Sequence, residues 1–249
     1  MKKAVLAALA ASWLANAVHA PSAEAASADA EDAAAQPDPA AHAWAEKNLR
    51  GWPVEARALA AVLVTRYGEP DERSSDRIAW YGKGPWKRTV LHRQGIPHDF
   101  PGKHQDFLEQ TIDYRFPIDR LDELADYNGS IVAHRTAGEL TVRCESEEAN
   151  FLAVNLAHEL AQGTMNIEQV KGRHAQVMRG VQLGTRDREV RGLKFTVAQG
   201  GTADPGEISP LMRHLEYTEI PEEVPTVPEG PGADGAPEQP GTGVEPGSR

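Results

Sequence analysis

A short polar stretch in the middle of the chain carries the side chains best suited to metal chemistry. Two imidazoles and two carboxylates occur between residues 98 and 106, at His98, Asp99, His104 and Asp106. These are ligand types for zinc or a similar divalent ion. The spacing matches no established zinc arrangement, so the alternative is a loop whose histidines are solvated or hydrogen-bonded. The four residues are the candidate metal ligands, and the sequence indicates no other cofactor.

The only cysteine, Cys144, is the candidate nucleophile, with His134 or His158 as its base. Against this reading, Leu140, Val142 and Cys144 alternate as one apolar face of a predicted strand. Reactive thiols occupy exposed, electropositive places, so the sequence favours a buried and unreactive cysteine. A chain with one cysteine forms no internal disulfide, and its fold must depend on its core.

The segment from His158 to Gln162 approaches the H-E-x-x-H pattern of zinc proteases, but Gln162 stands where the second histidine should be. His158 follows Val154 at helical spacing and is expected at the border of the core. The chain also has no G-x-S-x-G and no Walker-type loop. A metalloprotease or a serine hydrolase is therefore not indicated.

Basic residues between positions 83 and 103 lie close to aromatic ones. The candidate contacts for an anionic glycan or a phosphate group are Trp86, Lys87, Arg88 and Arg93. The alternative is an exposed polar face over buried tryptophans, because long basic side chains commonly cover apolar surface. The sequence favours this alternative.

The hydrophobic pattern predicts helices and tightly connected strands in the order helix, hairpin, strand, helix, hairpin, helix, helix. The predicted strands cover residues 77–81, 86–93, 108–116, 130–135 and 139–144, and the predicted helices begin near positions 53, 121, 147 and 166. Strands joined by tight turns are antiparallel. The expected fold is therefore α+β, a small antiparallel sheet of about five strands with helices packed on one face.

The chain divides into five predicted segments. Residues 1–25 are a signal peptide, with Lys2 and Lys3 before an apolar run and cleavage near position 17 or 25. Residues 26–43 are a disordered Ala-rich acidic linker, 44–180 a single domain, 181–218 a weakly ordered extension and 219–249 a disordered Pro/Gly/Glu-rich tail. The mature chain is expected to be periplasmic or secreted, with no transmembrane segment.

Most of the formal net charge of −11 lies in the flanks, with −5 in residues 21–48 and −6 in residues 219–249. The near-neutral domain between them does not indicate nucleic acid as a partner. A cell-envelope protein or a cell-wall polymer is the expected partner class.

Several segments resemble a family of uncharacterised exported bacterial proteins over roughly residues 62–175. They are Trp86–Val90, His98–Pro101, Leu108–Ile112, Asp126–Ser130 and Asn150–Ala157. The resemblance implies export and a single domain, and it supplies no catalytic residue because no activity is assigned to that family.

The leading functional expectation is a non-enzymatic binding or interaction domain of the cell envelope. The alternative is a metal-dependent envelope enzyme that uses His98, Asp99 and His104. That enzyme would need a cleft that joins residues 98–106 to Arg143, Cys144 or Glu139.

Overall fold

An antiparallel six-stranded sheet and five α-helices make up the part of the chain that this computed structural model describes, residues 37–198, 200–204 and 206. The α+β prediction is confirmed, and the additional strand is only two residues long. In chain order the elements are α1 (Pro39–Asn48), α2 (Val54–Tyr67), β1 (Glu72–Arg73), β2 (Arg77–Lys83), β3 (Trp86–His98), β4 (His104–Asp113), a 3-10 turn (Ile118–Arg120), α3 (Leu121–Tyr127), β5 (Ile131–His134), β6 (Glu139–Cys144), α4 (Glu147–Gln162), α5 (Ile167–Gln182) and a second 3-10 turn (Arg188–Val190). The predicted signal peptide and the predicted C-terminal tail lie outside the described residues.

The strands follow the order β1-β2-β3-β4-β6-β5, and every neighbouring pair is antiparallel. Both predicted hairpins are present. β3 and β4 are longer at their joined ends than the sequence predicts, because β3 continues to His98 and β4 begins at His104. The stretch predicted as a loop from 98 to 106 is therefore the end of a β-hairpin, and only residues 99–103 connect its strands.

The register of the sheet places its apolar side chains on one face. Leu91 is opposite Leu108, which is opposite Cys144, and Ile112 is opposite Leu140. All five are buried in two hydrophobic clusters that also contain the inner residues of the helices. The helices therefore pack on this face, as the sequence predicts.

The long helix α4 starts where the sequence places a cap. The Ser146 hydroxyl accepts a hydrogen bond from the backbone N–H of Ala149, and two glutamates occupy the first turn, where the helix dipole favours negative charge. Gly163 ends the helix in the left-handed conformation, with φ of 69°. The Ser146 cap and the left-handed Gly163 therefore define the two ends of α4, which begins directly after β6.

Ordered structure extends beyond the predicted domain at both ends. Helix α1 begins at Pro39, inside the stretch predicted to be a disordered linker, because Asp38 caps it and Ala45 is buried against the domain. The predicted weakly ordered extension is partly anchored: Val190 is buried, and the Asn155 side-chain amide donates to the backbone carbonyls of Glu189 and Gly192. Among the described residues, no helix has both the length and the apolar character needed to cross a membrane.

Candidate metal centre

The pairing of β4 with β6 brings two distant segments of the chain together at one end of the sheet. Leu108 is opposite Cys144, so the start of β4 lies beside the last residue of β6. The pairing of His98 with His104 closes the β3–β4 hairpin at the same place. The sheet therefore gathers side chains from residues 98–106 and 144–145.

Four residues offer one donor atom each at this corner, and these atoms all lie within 4.8 Å of one another. The residues are His104, Asp106, Cys144 and Glu145. The Nε2 of His104 lies 2.9 Å from Asp106 Oδ1, 3.3 Å from Glu145 Oε2 and 3.5 Å from Cys144 Sγ. The same oxygen of Glu145 lies 2.8 Å from Cys144 Sγ. One nitrogen, one sulfur and two carboxylate groups thus converge on a single point.

The Asp106 carboxylate is buried and incompletely hydrogen-bonded. Its residue is 1 % exposed, and Oδ1 has no hydrogen-bond partner among the described residues. The 2.9 Å contact with His104 Nε2 lacks the in-line geometry of an N–H donor, so it brings the atoms together without a hydrogen bond. A buried carboxylate oxygen without a donor is costly, and this one lies in the group of four donor residues, 2.9 Å from the His104 nitrogen.

Surrounding groups orient the donors. Nδ1 of His104 lies 2.8 Å from the carbonyl oxygen of Gly102, and donation to that oxygen leaves Nε2 with a lone pair on the side of Cys144. The second oxygen of Asp106 accepts from the Ser130 hydroxyl at 2.5 Å. Such contacts are typical of the groups that hold metal ligands in position.

The Cys144 thiol is neutral in the absence of a cation. Burial raises its pKa well above the ordinary value, and the nearby carboxylates of Glu145 and Asp106 raise it further. A divalent cation has the opposite effect, because a coordinating thiol is deprotonated. The state of this thiol therefore depends on whether a cation is bound.

His174 forms part of the wall behind the cluster. Burial, followed by the nearby His104 and His98, lowers its pKa to about 4, so the ring is neutral at pH 7. Its Nδ1 lies 2.8 Å from the Tyr127 hydroxyl, and Phe100 packs edge-on at 5.1 Å. Tyr127, Phe100 and the neutral His174 ring thus pack together, and Phe100 also lies against His98.

Three of the four predicted metal residues come together, and Asp99 does not. Asp99 is exposed in the hairpin connection and is not among the clustered donors, so the structure does not bring it together with the other candidate ligands. His98 lies beside the cluster with Nδ1 3.2 Å from the Oδ2 of Asp106, on the side away from the shared point. It supports Asp106, whereas His104 and Asp106 are themselves donors.

Neither predicted base accompanies Cys144. Nδ1 of His134 accepts from the backbone N–H of Ala137, and His134 pairs with Glu139 at the far end of β6. His158 hydrogen-bonds Tyr114 and stacks on a phenylalanine, as expected for the border of the core. The imidazole next to Cys144 is that of His104. The prediction that Cys144 is buried is confirmed.

In the hairpin of β2 and β3, the four residues predicted to contact an anion or glycan are buried or engaged with other groups of the domain. Trp86 is buried and donates its indole N–H to Glu147. Lys87 and Arg88 are both ion-paired with Glu139, and Arg93 donates to a backbone carbonyl. The proposed anion or glycan contact is therefore not supported, and the predicted alternative, basic side chains over buried tryptophans, describes this hairpin.

The cleft expected of an enzyme is only partly assembled. Arg143 and Cys144 adjoin the hairpin, and Arg143 Nε donates to the backbone carbonyl of Asp106 at 2.9 Å. Glu139 lies at the opposite end of β6 in its ion pairs. Sequence reasoning missed Glu145 and Ser130, because their relation to Asp106 depends on pairing between β4 and β6, which are not consecutive in the chain.

Comparison with known proteins adds no relative: no family model matches the chain, and neither a curated protein nor a solved structure does. The resemblance to uncharacterised exported proteins stays a prediction. The class defined by fold and site is thus an α+β domain with a mixed nitrogen, oxygen and sulfur donor cluster at one corner of its sheet.

Proposed function

We propose that this chain is an exported metal-binding domain that holds one divalent ion of the zinc class through His104, Asp106, Cys144 and Glu145. The observation that carries the proposal is the buried Oδ1 of Asp106, which has no hydrogen-bond partner among the described residues and lies 2.9 Å from His104 Nε2, in a set of four donor atoms that are all within 4.8 Å of one another. A metal ion is the partner that would satisfy all four groups together.

The distances between the donor atoms support this proposal. Atoms bonded at about 2.1 Å to a tetrahedral ion are separated by about 3.4 Å, and bonds to sulfur are slightly longer. The contacts from His104 Nε2 to Glu145 and to Cys144, at 3.3 and 3.5 Å, are close to these values. The contacts of Asp106 with His104, at 2.9 Å, and of Glu145 with Cys144, at 2.8 Å, are shorter than these values, so both carboxylates would move apart from their neighbours by about 0.5 to 0.8 Å on binding an ion.

The charges of the cluster support a cation as well. Asp106 and Glu145 bring two carboxylates to one thiol, and the only basic side chain of the donor group is the imidazole of His104. A divalent ion would offset the repulsion between the carboxylates and would stabilise Cys144 as a thiolate.

The ligand types favour a borderline metal over a hard one. Thiolate and imidazole bind zinc and its neighbours in the first transition row, whereas calcium and magnesium require mainly oxygen ligands. Zinc is the metal expected in this site, and cobalt(II) is its usual spectroscopic substitute in a tetrahedral site.

Export and envelope location rest on the N-terminal sequence, with Lys2 and Lys3 before an apolar run and small residues near the cleavage positions. An envelope protein or cell-wall polymer remains the proposed partner class. Mass spectrometry of the mature chain from an extracytoplasmic fraction tests export, and a mature chain that retains Met1 would contradict it.

The metal proposal is tested with protein purified without an affinity tag and stripped with a chelator. Zinc titration in competition with a chromophoric chelator should give one ion per chain. Asp106→Ala should lose this binding, because it removes the buried oxygen that faces the cluster. His134→Ala is the matched control: it removes an imidazole from the far end of the same sheet and should leave zinc binding unchanged. Equal zinc binding by parent and Asp106→Ala would overturn the proposal.

A further inference from the structure

We propose that Glu145 is the exchangeable ligand of this centre, the position at which a small monodentate donor molecule replaces a protein ligand on the metal. The inference rests on the metal site proposed above. It assigns different roles to the four ligands: His104, Asp106 and Cys144 stay bound to the ion, and Glu145 is replaced by the incoming molecule.

The four side chains differ in solvent access. The Asp106 side chain is 1 % exposed and that of His104 is 11 % exposed, whereas that of Glu145 is 35 % exposed. Cys144 is 2 % exposed. Solvent therefore reaches the cluster mainly over the carboxylate of Glu145.

The four side chains also differ in how they are held. Ser130 and His98 contact the second oxygen of Asp106, and the Gly102 carbonyl lies against Nδ1 of His104. Cys144 is fixed within β6 by its pairing with β4.

Glu145 has no comparable support. Among the described residues, its carboxylate contacts only His104 and Cys144, which are donors themselves. Glu145 also lies between the end of β6 and the Ser146 cap of α4, outside any strand or helix. Its side chain can therefore turn toward solvent without breaking a contact outside the cluster.

The exchange balances as a simple ligand substitution. The bond from the metal to the Glu145 oxygen breaks, a lone pair of the incoming donor forms the new bond, and the carboxylate is released to water. No electron is transferred. Three retained protein ligands with one exogenous ligand form the arrangement of open zinc sites.

The experiment uses the full chain loaded with cobalt(II) under reducing, oxygen-free conditions, with azide as the probe. Azide should change the visible d–d bands of the parent saturably. Glu145→Ala should still bind one cobalt ion and should reach half-saturation at a lower azide concentration, because no side chain competes for the position. His134→Ala should titrate like the parent.

The outcomes separate the two proposals. If the bands of the cobalt-loaded parent do not respond to azide, the exchange proposal is overturned and the metal site stands. Loss of cobalt from Glu145→Ala would have the same meaning. A parent that binds no cobalt and no zinc would overturn both.

Discussion

Asp106 and His104 approach to 2.9 Å through Oδ1 and Nε2 without forming a hydrogen bond. The buried Oδ1 of Asp106 therefore lies close to an imidazole nitrogen and yet has no hydrogen-bond partner among the described residues. Both residues belong to β4 and are separated by one residue, so strand geometry places their side chains on the same face. In the part of the chain that the structure describes, Oδ1 of Asp106 is the one carboxylate oxygen that is buried without a hydrogen-bond partner.

The two histidines of the hairpin should differ in their effect on metal affinity. His104→Ala removes a ligand and should abolish stoichiometric zinc binding. His98→Ala removes a group that contacts Oδ2 of Asp106 and is not itself one of the four donors, and it should weaken affinity by about 10- to 100-fold. Competition titration measures both. Equal loss in the two variants would make His98 a ligand, as the sequence predicts.

The Cys144 thiol should react slowly in the folded, metal-free protein. Its pKa is raised by burial and by nearby carboxylates, so little thiolate is present at pH 7. Alkylation by iodoacetamide should be slow in buffer and fast in urea, where the thiol titrates near its ordinary value. Rapid alkylation of the native chain at pH 7 would show that the thiol is accessible and ionised.

Acid should destabilise the metal-free protein partly through His174. Burial lowers its pKa to about 4 from 6.5, so the unfolded state binds more protons between these values. The contribution to the free energy of unfolding is complete above pH 6.5 and is lost as pH falls toward 4, by about 2 kcal/mol between pH 7 and pH 5. Urea unfolding at both pH values should show a smaller loss for His174→Gln. An unchanged loss would contradict the assignment.

The ion pairs of Glu139 should contribute stability that disappears in acid. A hydrogen bond from Arg88, with further help from Lys87, lowers the pKa of Glu139 to about 2. This contribution is present above the ordinary carboxylate pKa and is lost as pH falls through the lowered one. Glu139→Gln should cost roughly 1–2 kcal/mol at pH 7, because the partners are partly solvated, and less at pH 3. Equal costs at both pH values would argue against an electrostatic role.

Local signals in the sequence are sufficient to predict most of the fold. Ser146 and Gly163 mark the ends of α4, and the glycine-containing turns mark both hairpins. The hairpin end between His98 and His104 is missed because its polar residues alternate without an apolar face. Its strand character depends on pairing across the hairpin, which no local pattern reports.

The candidate site is only partly predictable for the same physical reason. His104 and Asp106 are found because imidazoles and carboxylates occur close together in the chain. Cys144 is correctly predicted to be buried, but its apolar neighbours along β6 give no indication of the His104 imidazole that lies 3.5 Å from its sulfur. Glu145 directly follows a strand and belongs to no motif, and only the pairing of β4 with β6 brings it to His104 and Asp106.

The order β4-β6-β5 has a consequence for the chain as a polymer. It brings donors at positions 104 and 106 together with donors at 144 and 145, so an ion bound there closes a loop that includes α3 and β5. For a loop of this length, the chain-entropy estimate for a permanent crosslink is about 4 kcal/mol. A chain with one cysteine cannot form that crosslink as a disulfide. The bound ion would provide the crosslink in a form that a chelator can remove. The rigidity of the segment from β4 to β6 would then depend on the concentration of free metal around the protein.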